Sequence, residues 1–123
     1  MSGPLSPLSF LFVALGGAAG SALRHLVSTL AAAQFGTGFP WGTLAVNVAG
    51  SALIGVAGGL GLGGEARLLL VTGFLGGFTT FSAFSLETGA LFERAPALAL
   101  LYVAASVALG LAAFAACYGL LRR

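Results

Sequence analysis

The amino-acid sequence predicts an all-α integral membrane protein of four transmembrane helices, the third of them broken. Three observations carry this. First, of 123 residues, 59% are apolar and 7% are charged, against about 25% charged residues in a soluble domain. With no Asp and no Lys at all, the chain cannot cover itself with a solvated surface. Second, its apolar runs fall into four stretches of membrane-spanning length with short connections. They lie at approximately 10–33, 42–62, 66–92 and 97–121, within a single domain covering 1–123. Third, the third stretch is unlike an ordinary spanning helix. Between Gly73 and Glu87 it carries Gly76-Gly77, Thr79-Thr80, Ser82, Ser85 and four phenylalanines where Leu, Val and Ile would be expected.

Each span has its own signature. Met1 to Ser9 holds two prolines and no basic side chain, and the first span follows. Ala31-Ala-Ala33 has the look of a signal-peptidase site, but the basic n-region is missing and Arg24-His25 argues for retention. Gly16, Gly20 and Arg24 step by four, with Gly17, Ser21 and His25 beside them. Stripes of small residues let two helix backbones approach closely. Trp41 stands where an interfacial aromatic anchors the second span. On that span Thr43, Asn47, Ser51, Gly55 and Gly59 repeat every four residues, a face that must point into protein and not at lipid. Gly63–Arg67 connects to the third span, and Pro96 prevents that helix from running into the fourth. On the fourth, Tyr102, Ser106 and Gly110 again step by four.

The third span admits two readings. Gly-Gly weakens a helix, and carbonyls freed at mid-membrane must be buried, paired or given to an ion. Alternatively the glycines serve close helix packing and the hydroxyls bond back to their own carbonyls. Packing accounts for the glycines, but less well for the alternation of hydroxyls and phenylalanines that follows.

Charge is sparse. Five Arg against three Glu give a net +2, without the clustered basic face that nucleic-acid binding needs. With four spans, one side holds Arg67, Arg122 and Arg123, and the other holds Arg94, joined by Arg24 if that side chain runs to the interface. Three against two is too small a bias to fix one orientation. Counted by loops alone it is three against one.

No catalytic set emerges. One His, one Cys and no Asp make no triad or metal cluster, and no phosphate-binding motif follows a strand. Cys117 has no partner for an internal disulfide and suits a small core position. The residues able to carry chemistry are neutral. Asn47 offers two donors and an acceptor at mid-span, either for interhelical bonding worth about 0.6–2 kcal/mol or for permeation. Phe81 and Phe84 share a helical face, beside Ser82 and Ser85. Ring edges carry partial positive charge and can meet an anion. Glu87 lies about 12 Å along a helix from Thr79, toward a membrane face, and is badly placed for a mid-membrane proton carrier. Arg24 either draws anions into a vestibule or reaches for headgroups.

The stretches Gly16-Gly-Ala-Ala-Gly-Ser-Ala-Leu-Arg24, Trp41-Gly-Thr-Leu-Ala-Val-Asn-Val-Ala-Gly50 and Gly73-Phe-Leu-Gly-Gly-Phe-Thr-Thr-Phe-Ser-Ala-Phe-Ser-Leu-Glu87 resemble the signatures of the fluoride channel family (Fluc, or CrcB). They occur in its order and spacing, and the four-span length matches the whole chain. The second and third motifs together are highly specific. The resemblance implies a multi-pass protein of the cell (inner) membrane. It would be an antiparallel, dual-topology homodimer that exports fluoride passively through two pores and lowers its toxicity. It also implies a structural sodium ion (Na+) on the two-fold axis, held by carbonyls of Gly76 and Thr79. Phe81 and Phe84 would line the pores, and Asn47 would donate to fluoride. Thr43, Ser82, Ser85, Tyr102 and Ser106 would continue a polar track, with Glu87 and Arg24 toward the vestibules. His25, where family members often have Tyr, and Gly110, which offers no hydroxyl, depart from the pattern. Two other readings compete: a small four-helix exporter of cationic drugs, which needs a central carboxylate that is missing here, and a non-transporting assembly subunit.

Overall fold

The computed structural model describes residues 3–122, so that Met1, Ser2 and Arg123 lie outside the described residues. Its elements are α1 (Pro7–Phe35), α2 (Trp41–Gly59), α3 (Gly64–Arg67), a π-helical stretch (Leu68–Leu75), α4 (Gly76–Phe78), α5 (Phe81–Arg94) and α6 (Pro96–Leu121). Among the described residues there is no strand. Four helical runs are long and apolar enough to cross a membrane: Pro7–Phe35, Trp41–Gly59, Gly64–Arg94 and Pro96–Leu121.

Helix ends follow local chemistry that the apolar runs concealed. α1 begins at Pro7, earlier than the apolar run suggests, because Ser6 caps it. The Ser6 hydroxyl oxygen accepts from the Ser9 N–H at 3.2 Å, and Pro7 occupies the first turn, where its missing N–H costs nothing. α2 stops at Gly59, short of the expected boundary at 62. There Leu62 N–H reaches back to the Ala57 carbonyl at 3.0 Å and Gly61 N–H to the Gly58 carbonyl at 3.1 Å. Gly61 sits at φ 69, the left-handed position this closure requires. Pro96 opens α6, as its position after Glu93-Arg94 predicts.

Lipid is as apolar as leucine, so membrane helices associate through close packing and hydrogen bonds. The small-residue stripes supply the close packing. A Cβ on Gly16 would lie 2.1 Å from the Leu69 carbonyl oxygen, and one on Gly20 would lie 2.0 Å from that of Phe74. α1 therefore crosses the π-helical stretch backbone against backbone. On the opposite side α2 packs on α6, where a Cβ on Gly55 would meet the Phe114 carbonyl at 2.7 Å, beside Cys117. Thr43 and Gly55 are buried, while Asn47, Ser51 and Gly59 are half-buried, so the stripe on α2 faces inward as expected. Two apolar clusters bracket the centre. Val46, Leu75 and Phe78 form one; Leu91, Ala99 and Tyr102 form the other.

The third run departs from expectation in one respect. Gly76 and Gly77 are both helical, Gly76 at φ −61 and ψ −36. The helical backbone gives way three residues later, at Thr79 (φ −88, ψ 157) and Thr80 (φ −152, ψ 121). The glycines serve packing on one side only. A Cβ on Gly77 would lie 2.6 Å from the Gly17 carbonyl oxygen, whereas one on Gly76 would meet nothing nearer than 3.8 Å. The threonines turn the chain by side-chain bonding. The Thr79 hydroxyl donates to the Leu75 carbonyl at 2.9 Å, and the Thr80 hydroxyl oxygen accepts from Ala83 N–H at 3.1 Å, capping α5.

Candidate functional site

Asn47 holds the two extended residues from α2. Its Nδ2 donates to the Thr80 carbonyl at 3.1 Å, and its Oδ1 accepts the Thr80 N–H at 2.9 Å. The pair of bonds fixes which end of the amide is which. It also changes the backbone pattern on α4. In a continuous helix the Thr80 N–H would serve the Gly76 carbonyl, and the Ala83 N–H that of Thr79. Here the first goes to Asn47 and the second to the Thr80 hydroxyl. Gly76 and Thr79 thus lose the donors that helix geometry would have given them. Two neighbouring carbonyls are served: Leu75 accepts from Thr79 N–H at 3.0 Å and Gly77 from Arg24 Nε at 2.9 Å.

These residues border a cleft of about 440 Å³ between α2, the third run and α6. Asn47, Gly76, Thr79, Phe81, Phe84 and Ser106 all line it. Its wall contains no charged side chain. The Ser106 Oγ is buried with no hydrogen-bond partner among the described residues, a state that costs about 1–3 kcal/mol when nothing compensates. Phe81 is 78% exposed, its ring 5.6 Å from that of Phe84.

A second cleft of about 260 Å³ lies by the α1–α2 connection, and Thr43, Glu87, Ser28, Trp41 and Arg94 contribute to it. Tyr102 joins the two. Fully buried, it donates its hydroxyl to Glu87 Oε1 at 3.3 Å, and its ring stands 5.2 Å from Phe84. A row of side chains therefore runs from Asn47 and Phe81 through Phe84 and Tyr102 to Glu87 and Thr43. Arg94 bonds the Gly38 carbonyl and ties α5 to that connection.

Three predicted site residues lie elsewhere. Ser82 and Ser85 are exposed and line neither cleft. The Ser85 hydroxyl turns back to the Phe81 carbonyl at 3.1 Å, and Ser82 Oγ lies 3.3 Å from Thr80 Oγ1. Arg24 lines neither cleft, and its Nε–H donates to the Gly77 carbonyl of the third run. Sequence reasoning assigned no part to Thr80, which both Asn47 and α5 depend on. The available signal was a threonine directly before the Phe81–Phe84 helical pattern.

Residues 11–119 match the family model described as CrcB-like protein, Camphor Resistance (CrcB). The chain belongs to the CrcB family. The match spans the whole site, from Arg24 to Ser106. Similar relatives include the fluoride-specific ion channel FluC of Rhizobium etli, 54% identical over 118 residues, which are 91% of this chain and 94% of that one. FluC of Chelativorans sp. is 56% identical over 104 residues, 80% of this chain and 83% of the relative. FluC of Agrobacterium fabrum is 51% identical over 112 residues, 86% and 90% respectively.

Proposed function

We propose that this CrcB chain is a subunit of a passive, fluoride-selective channel, a non-enzymatic multi-pass membrane protein through which cytoplasmic fluoride leaves the cell. The observation that carries this reading is the Asn47–Thr80 clasp set beside Phe81, Phe84 and the unpartnered Ser106 hydroxyl. Fluoride is small and strongly hydrated, so passage requires replacement donors at close range. The Asn47 amide has two N–H groups and gives one to Thr80, which leaves one for an ion. Ser106 adds a hydroxyl with no competing partner, and ring edges add partial positive charge without the trap of a full one. Such sites are favourable yet shallow, as conduction demands. The names of the relatives agree with this reading. A cation exporter fits the uncharged cleft wall poorly, since it would need an accessible carboxylate there.

The assembly we propose is an antiparallel, dual-topology homodimer with the third helix broken at Thr79–Thr80. A single copy leaves Gly76, Phe81, Ser82 and Ser85 exposed. In lipid, uncovered carbonyls and hydroxyls are costly, and a second copy is the natural cover. The carbonyls of Gly76 and Thr79, two from each subunit, would hold a structural sodium ion. Oxygen donors without helical partners suit a hard cation, and the open side of Gly76 gives it access. The bound cation would neutralise carbonyl dipoles and fix the two copies together. The arginine count supports dual topology less than the sequence suggested, because Arg24 turns to Gly77 and not to an interface. Loops alone give three against one, counting Arg123.

Liposomes containing the purified protein alone test the function. Fluoride should escape down its gradient while chloride stays inside. Asn47→Asp replaces the donor to Thr80 with an acceptor and sets an anion in the path, so it should abolish fluoride escape while the protein remains folded. A chloride leak as fast as fluoride in the parent protein, or no fluoride flux, would remove the proposal.

A further inference from the structure

We infer that Arg24 is a positioning residue for the third span, acting through its Nε–H bond to Gly77, and not an anion attractor. This rests on the channel reading and assigns a part to a residue that reading leaves aside. The inference begins with the stripe on α1. Gly16 and Gly20 bring α1 into backbone contact with the third run: a Cβ on Gly20 would stand 2.9 Å from the Phe78 nitrogen. Arg24 is the next residue on that stripe, one turn further along, so its side chain arrives beside α4 with little distance left to cover. Its Nε–H then meets the Gly77 carbonyl at 2.9 Å. In a continuous helix that carbonyl would take the Phe81 N–H, but the extended pair Thr79–Thr80 intervenes.

Three clasps then determine which carbonyls stay open. Thr79 serves Leu75, Arg24 serves Gly77 and Asn47 serves Thr80. Gly76, Phe78 and Thr79 lose a helical donor without gaining a side chain, and of these Gly76 and Thr79 border the larger cleft. Arg24 holds the segment from the α1 side and Asn47 from the α2 side, so the direction in which Gly76 and Thr79 present their oxygens depends on both. An arginine within a spanning helix is costly, and a charge-assisted bond to a carbonyl that lacks its helical partner offsets part of that cost.

The two roles for Arg24 separate by chemistry. Gln carries an amide nitrogen the same number of bonds from Cα as the Arg Nε, with no charge. Lys keeps the charge but places its nitrogen one bond further out. If Arg24 positions the third span, Arg24→Gln retains fluoride flux and the sodium-induced rise in melting temperature. Arg24→Lys and Arg24→Met should each lose about tenfold or more of the flux, the effect expected for losing a bond to a charged donor. If Arg24 attracts anions, the order of Gln and Lys reverses. A second reading uses the parent protein. Fluoride flux at a fixed fluoride gradient should be flat between low and high impermeant salt, since a short, part-buried bond is little screened, while long-range attraction falls with the Debye length. Equal behaviour of the Gln and Lys variants in either direction, or a parent flux that drops with salt, would overturn the assignment. Fluoride conduction by the parent is measured in the same liposomes, so the channel reading stands or falls separately.

Discussion

The same residue type serves opposite purposes within a few positions of this chain. Phe74 stacks on Phe78 with ring centroids 5.8 Å apart and packs against the cluster of Val46 and Leu75. Phe81 is 78% exposed and touches Phe84 across the mouth of the larger cleft. Sequence spacing alone picked out Phe81 and Phe84, because a shared face beside hydroxyls is visible as a pattern. It could not distinguish a ring that packs from a ring that stands open. A paired measurement follows. Phe74→Ile should lower stability by about 1–2 kcal/mol through lost packing and leave fluoride selectivity intact. Phe81→Ile removes the ring edge from a residue with little packing to lose. It should leave the melting temperature close to the parent's and cut fluoride flux strongly, without opening a chloride leak. Thermal unfolding and liposome efflux on both variants check this, and a Phe81→Ile channel as fast as the parent would move the pore elsewhere.

At the scale of elements, legibility depended on whether a feature had a side chain to announce it. The four spans, the inward stripe on α2 and Pro96 at the start of α6 were all readable, because each rests on residue type at fixed spacing. The π-helical stretch Leu68–Leu75 was not readable, since it is apolar nearly throughout and offers no periodicity to distinguish one winding from another. The turn at Gly61 that closes α2 was likewise hidden among glycines that differ only in backbone conformation. Gly76 and Gly77 make the point most directly. Adjacent and identical in sequence, they face different surroundings, Gly77 pressed on Gly17 and Gly76 open. Gly77→Ala should therefore destabilise the subunit by about 1–3 kcal/mol through overpacking. Gly76→Ala should leave the helical content unchanged, yet weaken the stabilisation of the protein by sodium, because its methyl would sit beside the proposed carbonyl ligands. Circular dichroism and melting in sodium against a large organic cation test the pair. A Gly76→Ala protein with the parent's full sodium response would place the cation away from this segment.

At the scale of the whole molecule, one copy of the chain leaves part of its polar surface uncovered. The clefts are lined from α1, α2, the third run and α6, while the third run also leaves Gly76, Phe81, Ser82 and Ser85 exposed. Ser82 and Ser85, expected on the polar track, reach neither cleft within one subunit, and a second copy against this face would enclose them. The weak charge asymmetry supports the proposed pair of orientations: Arg67, ending α3, and Arg122, following α6, fall on one side and Arg94, ending α5, on the other, and no loop carries a basic cluster that would dictate insertion. Arg123 lies outside the described residues, but as the last residue it is a convenient reporter of sidedness. In an Arg123→Cys variant whose Cys117 has been replaced, an impermeant thiol reagent should label about half of the protein from outside sealed vesicles and the remainder only after they are opened. The purified, fully labelled protein should still run as a dimer. Complete labelling from one side would mean that all copies insert the same way. The antiparallel arrangement would then fail, and with it the pairing of Gly76 and Thr79 carbonyls from opposed subunits around one cation.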